Sequence, residues 1–348
     1  MARVRRRGAT LRDVARVAGV SVSTASRAVN GAPYVREEVL ERVRSAVDQT
    51  GYYPNSAARA LKAQRTMTVG VVLQDLNSTV LMDLLNGLVR VADEQDYSLM
   101  MTSAAGDLDR YKRHLQRFVA RGVDAIVLQD PRGVAAEVAT CQQRGLPVIA
   151  IVGRGPDCGS VPLVEASGMD ATREAARRIS ELGHNNVGLI GSGRVTESLL
   201  ARQLGEAIET AGLKFRVEEL DDAGHEDESQ VALALHRLLS GQRPASVIFA
   251  MQRQVPVLLG ELERCGLHVP DDVSICSITD SSANLALRPQ VTSLSVRAVD
   301  LGVAMAKTLF DWLDGTEPAL NTSVDLTSWV ERESLAPLLE RRARTFPM

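Results

Sequence analysis

The chain has 348 residues, enough for two or three units that each bury a core. Its formal net charge is only −3, but residues 1–65 contain 13 lysines and arginines against 5 aspartates and glutamates, whereas the remainder contains 27 against 38. This basic head on an acidic body indicates a polyanion as the partner of the head alone. The four cysteines form no CxxC pair, and no apolar run approaches the roughly 18 residues of a membrane span. We therefore expect a cytoplasmic protein without a structural zinc site.

Residues 10–30 predict two short helices joined by a tight turn. Thr10 followed by Asp13 resembles a capping box, which would start the first helix. Gly19 permits a left-handed turn, and Ser21 is a good N-cap for the second helix, with Thr24 at position N3. The apolar positions at helical spacing are Leu11, Val14, Ala15 and Ala18, then Ala25, Ala28 and Val29, and in a third helix Val39, Leu40, Val43 and Val47. This arrangement predicts a helix-turn-helix with a small core.

The run TLRDVARVAGVSVSTASRAVNG, followed by GYYPNSAARALK at 51–62, resembles the LacI family of bacterial transcriptional regulators. The resemblance implies that the second helix enters the major groove of DNA, with Val22 and Ser23 at the variable base-reading positions. Arg27 is the one side chain of this helix that can make a bidentate contact to guanine. The positions assigned to DNA contact are Thr10, Ser21, Val22, Ser23, Thr24, Ser26, Arg27, Asn30, Asn55, Ala58, Leu61 and Lys62.

The segment PNSAARALK allows two interpretations. Pro54 can start a helix and Asn55 can cap it, but the remaining turns are too short to be stable alone. In the LacI family this segment is a hinge helix that orders when two copies meet in the minor groove. Leu61 then matches the leucine that wedges between base pairs and bends the duplex. The alternative is an ordinary linker, which the alanines would equally permit.

From Thr68 onward, short apolar runs alternate with amphipathic stretches. The runs expected to form buried parallel strands are 69–73, 97–101, 124–129, 147–152, 186–191, 245–250 and 272–278. The stretches expected to form helices include 109–121, 170–182, 197–211, 227–240 and 299–314. Repeated strand–helix units predict two doubly wound parallel-sheet subdomains. The resemblance, weaker here but continuing to RESLAP at 332–337, implies a periplasmic-binding-protein-like body whose subdomains are joined by three crossings and enclose a cleft.

The predicted cleft departs from the pattern of sugar-binding family members. Their Asp-Asn pair reads Ser167 and Gly168 here, and their ligand arginine falls at Leu200. Their Asn-Asp pair reads Gln252 and Arg253. Their two aspartates become Thr279 and Asp280, and their aromatic positions are Val80 and Leu81. Sugar sites need carboxylates and amides for vicinal hydroxyls, and flat faces for the ring; most of these groups are missing.

Three interpretations of the cleft remain open at this point. Arg253 binds an anionic effector, with Gln74, Asp75, Arg154 and Thr279 as the neighbours that the family layout suggests, together with Gln252 and Asp280. Alternatively, Arg253 pairs with Asp280, and the cleft is a structural relic that is regulated by a protein partner or not at all. The third interpretation is a sugar bound in an unusual way.

The sequence as a whole predicts a regulator that binds a palindromic operator in double-stranded DNA as a homodimer, most simply a repressor associated with the nucleoid. The predicted segments are a basic tail at 1–9, the helix-turn-helix at 10–51, a hinge and linker at 52–67, the effector-binding and dimerisation domain at 68–338, and a tail at 339–348. The competing classes are a small-molecule-binding module without DNA function and an α/β enzyme. We expect no catalytic residues, no metal and no cofactor, because GSGRVT at 191–196 lacks the third glycine of a dinucleotide fingerprint and no catalytic constellation is recognisable.

Overall fold

The structure, a computed structural model, describes residues 9–30, 35–53, 65–74, 76, 78–152, 158–221 and 227–338. The chain divides into two compact units, Met1–Thr66 and Met67–Met348. The first unit contains helices α1 (Leu11–Ala18), α2 (Val22–Val29) and α3 (Glu37–Thr50) among its described residues.

The core of the first unit is small and made by all three helices. Val14, Ala18, Val43 and Ala46 are buried at its centre, and Ala28, Val29, Val39 and Val47 are among the partly buried residues packed against it. This agrees with the predicted apolar positions on the three helices. Burial of small side chains lets short helices approach each other closely, which gives this unit a core despite its size.

Local signals in the sequence define both ends of the turn between α1 and α2. The Thr10 backbone N–H and its hydroxyl both donate to the Asp13 carboxylate, at 2.9 and 2.7 Å, so the predicted capping interaction is confirmed. Gly19 adopts the left-handed conformation with φ of 66°. Ser21 then caps α2, since its Oγ accepts a hydrogen bond from the Thr24 backbone N–H at 3.1 Å. The tight turn therefore follows from residues 10–24 alone.

The second unit contains two six-stranded sheets. The strands are β1 (Thr68–Leu73), β2 (Ser98–Ser103), β3 (Ala125–Gln129), β4 (Val148–Val152), β5 (Leu163–Ser167), β6 (Asn186–Ser192), β7 (Lys214–Leu220), β8 (Val247–Met251), β9 (Ser274–Ile278), β10 (Thr292–Val296), β11 (Asn321–Asp325) and β12 (Thr327–Val330). Sheet 1 has the order β11-β5-β4-β3-β1-β2 and is parallel throughout. Sheet 2 has the order β12-β10-β9-β8-β6-β7, and only β12 runs antiparallel to its neighbour.

Each of the seven apolar runs forms a strand, and one of them differs from its prediction in burial. The run at 97–101 becomes β2, which lies at an edge of sheet 1 and has only exposed and half-buried positions. Met101 is 53% exposed. An edge strand has a partner on one side only, so an apolar run does not by itself place a strand at the centre of a sheet.

Helices cover both sheets. Those of the second unit are α4 (Thr79–Glu94), α5 (Leu108–Arg121), α6 (Ala135–Gln143), α7 (Met169–Glu181), α8 (Gly193–Thr196), α9 (Leu199–Thr210), α10 (Glu228–Leu239), α11 (Val255–Arg264), α12 (Ser282–Ala286) and α13 (Ala298–Leu313). Every sheet face therefore meets an apolar helix face, and four separate apolar cores result. Within the described part of the chain, no helix is both long and apolar enough to span a bilayer.

The chain passes between the two sheets three times, as predicted. The passages follow β5 and β10 and lie between β11 and β12, where Leu326 alone separates two strands of different sheets. The three passages are hydrogen-bonded side by side: Leu326 N–H donates to the Ser167 carbonyl at 3.2 Å, and Arg297 N–H donates to the Leu326 carbonyl at 2.9 Å. This connection fixes which strand ends of the two sheets face each other.

Helices α4 and α13 cross at a pair of glycines on one side of sheet 1. A Cβ atom on Gly87 would collide with the Val299 carbonyl oxygen, and one on Gly302 would collide with the Leu84 carbonyl oxygen. Leu88 and Met305 are buried in the same cluster. Backbone therefore lies against backbone at this crossing, and neither position has room for a side chain.

We expect Gly302→Ala to lower the free energy of unfolding by about 1–3 kcal/mol, because the added methyl group forces α4 and α13 apart. Gly260→Ala in α11 is the matched control, since a Cβ atom there meets no atom within 4 Å. This control should be neutral or stabilising, because alanine favours a helix more than glycine does. Urea unfolding of both variants tests the crossing; equal effects of the two substitutions would contradict it.

Candidate nucleic-acid interface and ligand cavity

Helix α2 presents a small polar face away from the core of its unit. Ala25 is fully buried, whereas Ser23 and Arg27 are exposed and Val22 is 45% exposed. The predicted division of the helix into a core face and an outward face is therefore confirmed. Short hydroxyl side chains on an exposed helix leave its backbone close to the surface, which allows a bulky partner to approach.

The hydroxyl groups at the start of α2 form one local network. The Ser21 Oγ lies 2.8 Å from the Thr24 Oγ1 and 2.8 Å from the Ser23 Oγ, in addition to capping the helix. These contacts hold the side chains next to the first N–H groups of α2, where the helix dipole favours negative charge. The first turn of α2 is therefore held by hydrogen bonds among its own residues.

Three predicted contact residues are engaged in their own helices. Asn30 donates from Nδ2 to the Ser26 carbonyl at 2.7 Å and lies 3.4 Å from its Oγ, so the pair closes the end of α2. Thr10 is bound to Asp13 at the start of α1. These bonds fix the two ends of the helix pair. The predicted positions Asn55, Ala58, Leu61, Lys62, Asp75 and Arg154 lie outside the described residues.

A cavity of about 230 Å³ lies between the facing strand ends of sheets 1 and 2. This is the usual place for a ligand in open parallel sheets, because the carboxyl ends of the strands meet there. Its lining residues are Ser78, Val80, Leu81, Leu84, Gln129, Ile151, Glu165, Ala166, Ser192, Val195, Glu197, Ser198, Leu199, Leu200, Met251, Gln252, Arg253, Ile278, Thr279, Val296 and Leu301. More than half of them are aliphatic, and no aromatic ring is among them.

Two hydroxyl groups at the cavity have no hydrogen-bond partner within the described part of the chain. They are the Ser192 Oγ at the end of β6 and the Thr279 Oγ1 just after β9. Ser192 is 1% exposed, and Thr279 has a φ of 79°. Buried polar atoms are normally satisfied, and a β-branched residue rarely adopts a positive φ. The unpartnered hydroxyls and the positive φ therefore make this wall of the cavity unusual.

Charged side chains at the cavity have both signs. Arg253 and Glu197 are exposed at its edge, and Glu165 lies on β5 with its Oε1 3.4 Å from the Leu199 backbone N–H. The described lining therefore contains one cation and two carboxylates. Among these described residues negative charge exceeds positive charge, which disfavours a ligand with several negative charges.

The structure separates the predicted cleft residues, since some line the cavity, Gln74 lies within sheet 1, and Asp280 is bound by the last described segment of the chain. Gln252, Arg253 and Thr279 line the cavity, and Thr79 Oγ1 donates to the Gln252 Oε1 at 3.1 Å. Gln74 is not a lining residue, because its backbone N–H donates to the Gln129 Oε1 and its side chain reaches the Asp130 carbonyl. The side chain of Gln74 thus joins strand ends within sheet 1, which a one-dimensional pattern does not reveal.

Of the three interpretations of the cleft, the one in which Asp280 pairs with Arg253 is wrong, because Asp280 is bound by Arg332. The two Arg332 side-chain nitrogens Nη1 and Nη2 donate to the Asp280 carboxylate at 3.1 and 2.5 Å, and Asn284 donates to it at 3.0 Å. Burial favours the neutral carboxyl, but the bonds from Arg332 and Asn284 outweigh it and lower the pKa of Asp280. Only 12% of the Arg332 side chain and 13% of the Asp280 side chain are exposed, so the pair is structural.

The RESLAP segment ties the end of the body to sheet 2. Arg332 also donates to the Ser293 Oγ at 2.9 Å, and the Ser334 Oγ donates to the Ile275 carbonyl at 2.6 Å. His184 is buried, with its Nε2 2.9 Å from the Ala336 carbonyl oxygen.

Ser167 and Gly168, which stand where sugar-binding members have Asp-Asn, make contacts within the protein. Gln203 is buried on α9, donates to the Ser167 Oγ at 3.1 Å and accepts from the Gly168 N–H at 3.0 Å. A Cβ atom on Gly168 would lie 2.5 Å from the Thr327 Cβ, so no larger residue fits there. Sequence analysis missed Gln203, as well as the cavity residues Ser192, Glu165 and Glu197, because their roles depend on contacts between distant segments.

Comparison with known proteins gives the same two-part organisation. Residues 10–55 match the family described as bacterial regulatory proteins, lacI family, and residues 176–335 match the periplasmic binding protein-like domain. Catabolite control protein A of Streptococcus mutans serotype c is 29% identical over 304 residues, covering 86% of this chain and 90% of that protein. The ribose operon repressor of Haemophilus influenzae is 25% identical over 336 residues, covering 95% and 99%.

The structural comparison supports the fold over nearly the whole chain. The crystal structure of the lac repressor dimer bound to operator and an anti-inducer aligns with a TM-score of 0.76 at 20% identity, covering 95% of this chain and all of that one.

We expect Arg332→Met to lower the free energy of unfolding by about 3 kcal/mol, because it leaves Asp280 half-buried without its cation. The lowered pKa of Asp280 means that this stabilisation is present above the unfolded value of about 3.9 and is lost as the pH falls through the folded value. The difference between wild type and variant should therefore shrink in acid. Arg177→Met, at an exposed pair with Glu174 and Glu181, is the control and should change stability little.

Proposed function

The chain belongs to the LacI family of bacterial regulatory proteins, and from this we propose that it is a sequence-specific transcriptional repressor that binds a palindromic operator as a homodimer. Its place of action is then the chromosome in the cytoplasm. The observation that carries this proposal is the outward face of α2: hydroxyl groups and one arginine on a helix whose other face is buried. This face lies in the basic head of an otherwise acidic chain.

The chemistry of this face indicates how much sequence information it can read. Hydroxyl groups contact phosphates and base edges, but they accept and donate alike and discriminate weakly. Val22 offers only a methyl contact to thymine. Arg27 supplies the strong base contact, a bidentate pair with guanine. One bidentate contact per half-site gives little discrimination between DNA sequences. Two copies of the protein on a palindrome are therefore needed for useful specificity.

The hinge adds shape recognition to this proposal. In the proposed hinge, Leu61 wedges into the minor groove, Lys62 lies along the DNA backbone, and Asn55 and Ala58 are further contact positions, so that DNA deformability contributes to site selection. The two competing classes receive less support. A binding module without DNA function leaves the basic head unexplained, and an enzyme requires a catalytic constellation that the cavity lining does not offer among its described residues.

We expect Arg27→Ala to weaken binding to the selected operator by about 1–3 kcal/mol while generic, salt-dependent DNA binding persists. Arg44→Ala removes the same charge from an exposed position on α3 and is the matched control. It should weaken operator and generic DNA equally. Fluorescence anisotropy with operator and scrambled duplexes at several salt concentrations measures both quantities, and an unchanged operator-to-scrambled ratio in Arg27→Ala would contradict the assignment.

For the effector we propose a small amphipathic molecule with one carboxylate. The aliphatic lining accepts an apolar body, Arg253 binds the carboxylate, and the Ser192 and Thr279 hydroxyls bind a further polar atom. Neutral sugars are disfavoured for two reasons. The cavity offers no aromatic face among its described residues. In addition, two of the family's sugar-contacting positions are Ser167, which is bound by Gln203, and Gly168, which packs against Thr327.

Thermal-shift panels of aliphatic monocarboxylates, neutral sugars, phosphorylated sugars and alkylamines test this assignment. We expect saturable stabilisation by a carboxylate and none by the sugars, since a sugar finds few of the hydrogen-bond partners that it loses from water. Arg253→Ala should abolish the shift, whereas Arg243→Ala, an exposed arginine in the same subdomain, should retain it. Saturable stabilisation by a neutral sugar, or no stabilisation by any compound of the four panels, would refute the proposal of a carboxylate effector.

A further inference from the structure

A second group of chemically reactive side chains lies away from the cavity, between helices α10 and α11. His236 lies near the end of α10, Glu261 lies on α11, and Cys265 caps the end of α11. One ligand atom from each lies within 4.8 Å of the other two. Glu261 and Cys265 are four residues apart, which places them on one helix face opposite His236.

We propose that His236, Glu261 and Cys265 form a binding site for a zinc-class transition-metal ion. The three ligand atoms form a triangle whose sides are 2.8 Å from His236 Nε2 to Glu261 Oε1, 3.8 Å from His236 Nε2 to Cys265 Sγ, and 4.0 Å from Cys265 Sγ to Glu261 Oε1. Ligand atoms of a tetrahedral zinc ion are separated by roughly 3.3–3.5 Å, from its usual bond lengths. The sides of the triangle need to change by about 0.3–0.7 Å to match this geometry, the His236–Glu261 side by lengthening and the other two by shortening.

The donor set selects the class of metal. An imidazole nitrogen, a carboxylate oxygen and a thiolate sulfur together suit Zn²⁺ and Co²⁺, whereas Mg²⁺ and Ca²⁺ prefer oxygen ligands alone. Binding displaces the thiol proton of Cys265 to solvent, since the thiolate is the ligand. The side chain of His236 is 41% exposed, so a water molecule can reach the ion and complete its coordination.

The surroundings of the cluster are compatible with a bound cation. Glu261 is only 6% exposed, and Arg264 pairs with its Oε2, which leaves Oε1 directed at His236 and Cys265. The guanidinium reduces the net negative charge at the site, so we expect moderate affinity. Cys265 is also the only one of the four cysteines that is not buried. The ion would link α10 to α11 on one face of sheet 2.

This inference does not depend on the proposed effector or on DNA binding. Helix α11 follows directly after Gln252 and Arg253, which line the cavity, but the cluster is at its opposite end. The distance along the helix from Val255 to Cys265 is about 15 Å. The sequence did not suggest the site, because His236 and Cys265 are separated by 29 positions and no ligand-spacing motif connects them.

Titration of the full chain, without a polyhistidine tag and after treatment with a chelator, with Co²⁺ tests the site. We expect one ion per chain and a near-ultraviolet thiolate-to-cobalt charge-transfer band, which one equivalent of Zn²⁺ removes. Cys265→Ser should lose this band, and His236→Gln should weaken Co²⁺ binding at least tenfold. His268→Gln, at an exposed histidine of the same subdomain, is the control and should behave as wild type.

Labelling of the native protein with a thiol reagent gives a second readout that needs no substitution. Zn²⁺ should slow the modification of Cys265 by at least tenfold, while Mg²⁺ should not. Circular dichroism of each variant separates loss of the site from loss of the fold. Absence of the charge-transfer band at saturating Co²⁺ in wild type, or the same band in folded Cys265→Ser, would overturn the proposal.

Discussion

The three passages of the chain between its two sheets are the constraint on which the rest of the body depends. Ser167, Arg297 and Leu326 are hydrogen-bonded side by side, so the strands that enter and leave this region keep a fixed relation. All strands of sheet 1 and all but one of sheet 2 are parallel, so the loops that follow these strands lie at one edge of each sheet. The cavity and its lining follow from this arrangement rather than from any single binding residue.

The same region explains why the cleft departs from a sugar site. Gln203 binds Ser167 and Gly168 at the first passage, and Thr327 packs against Gly168 at the third. Asp280 is held by Arg332 from the end of the body. Gln203 therefore stabilises the connection between the subdomains, whereas Arg332 and Asp280 stabilise sheet 2 itself. At the cavity, the described lining carries Arg253, Gln252, two glutamates and the Ser192 and Thr279 hydroxyls among mostly aliphatic side chains.

The sequence was informative where structure is local and less so where it depends on distant contacts. The capping of α1 by Thr10 and Asp13 and the left-handed Gly19 act within a few residues, so the helix-turn-helix could be predicted closely. The partner of Asp280 could not, since Arg332 is 52 positions away. Strand β2 was predicted to be buried, because hydrophobicity reports the tendency to form a strand and not its place in the sheet order.

The proposed function requires that the helix-turn-helix units of two copies together recognise one particular DNA sequence. Repeated selection of the wild-type protein from random duplexes, followed by affinity measurements at two salt concentrations, tests it most directly. We expect an enriched palindrome with two guanine-containing half-sites, bound by one dimer at least about 10³-fold more tightly than scrambled DNA at physiological salt. Enrichment of no common sequence, or equal affinity for all duplexes, would contradict it.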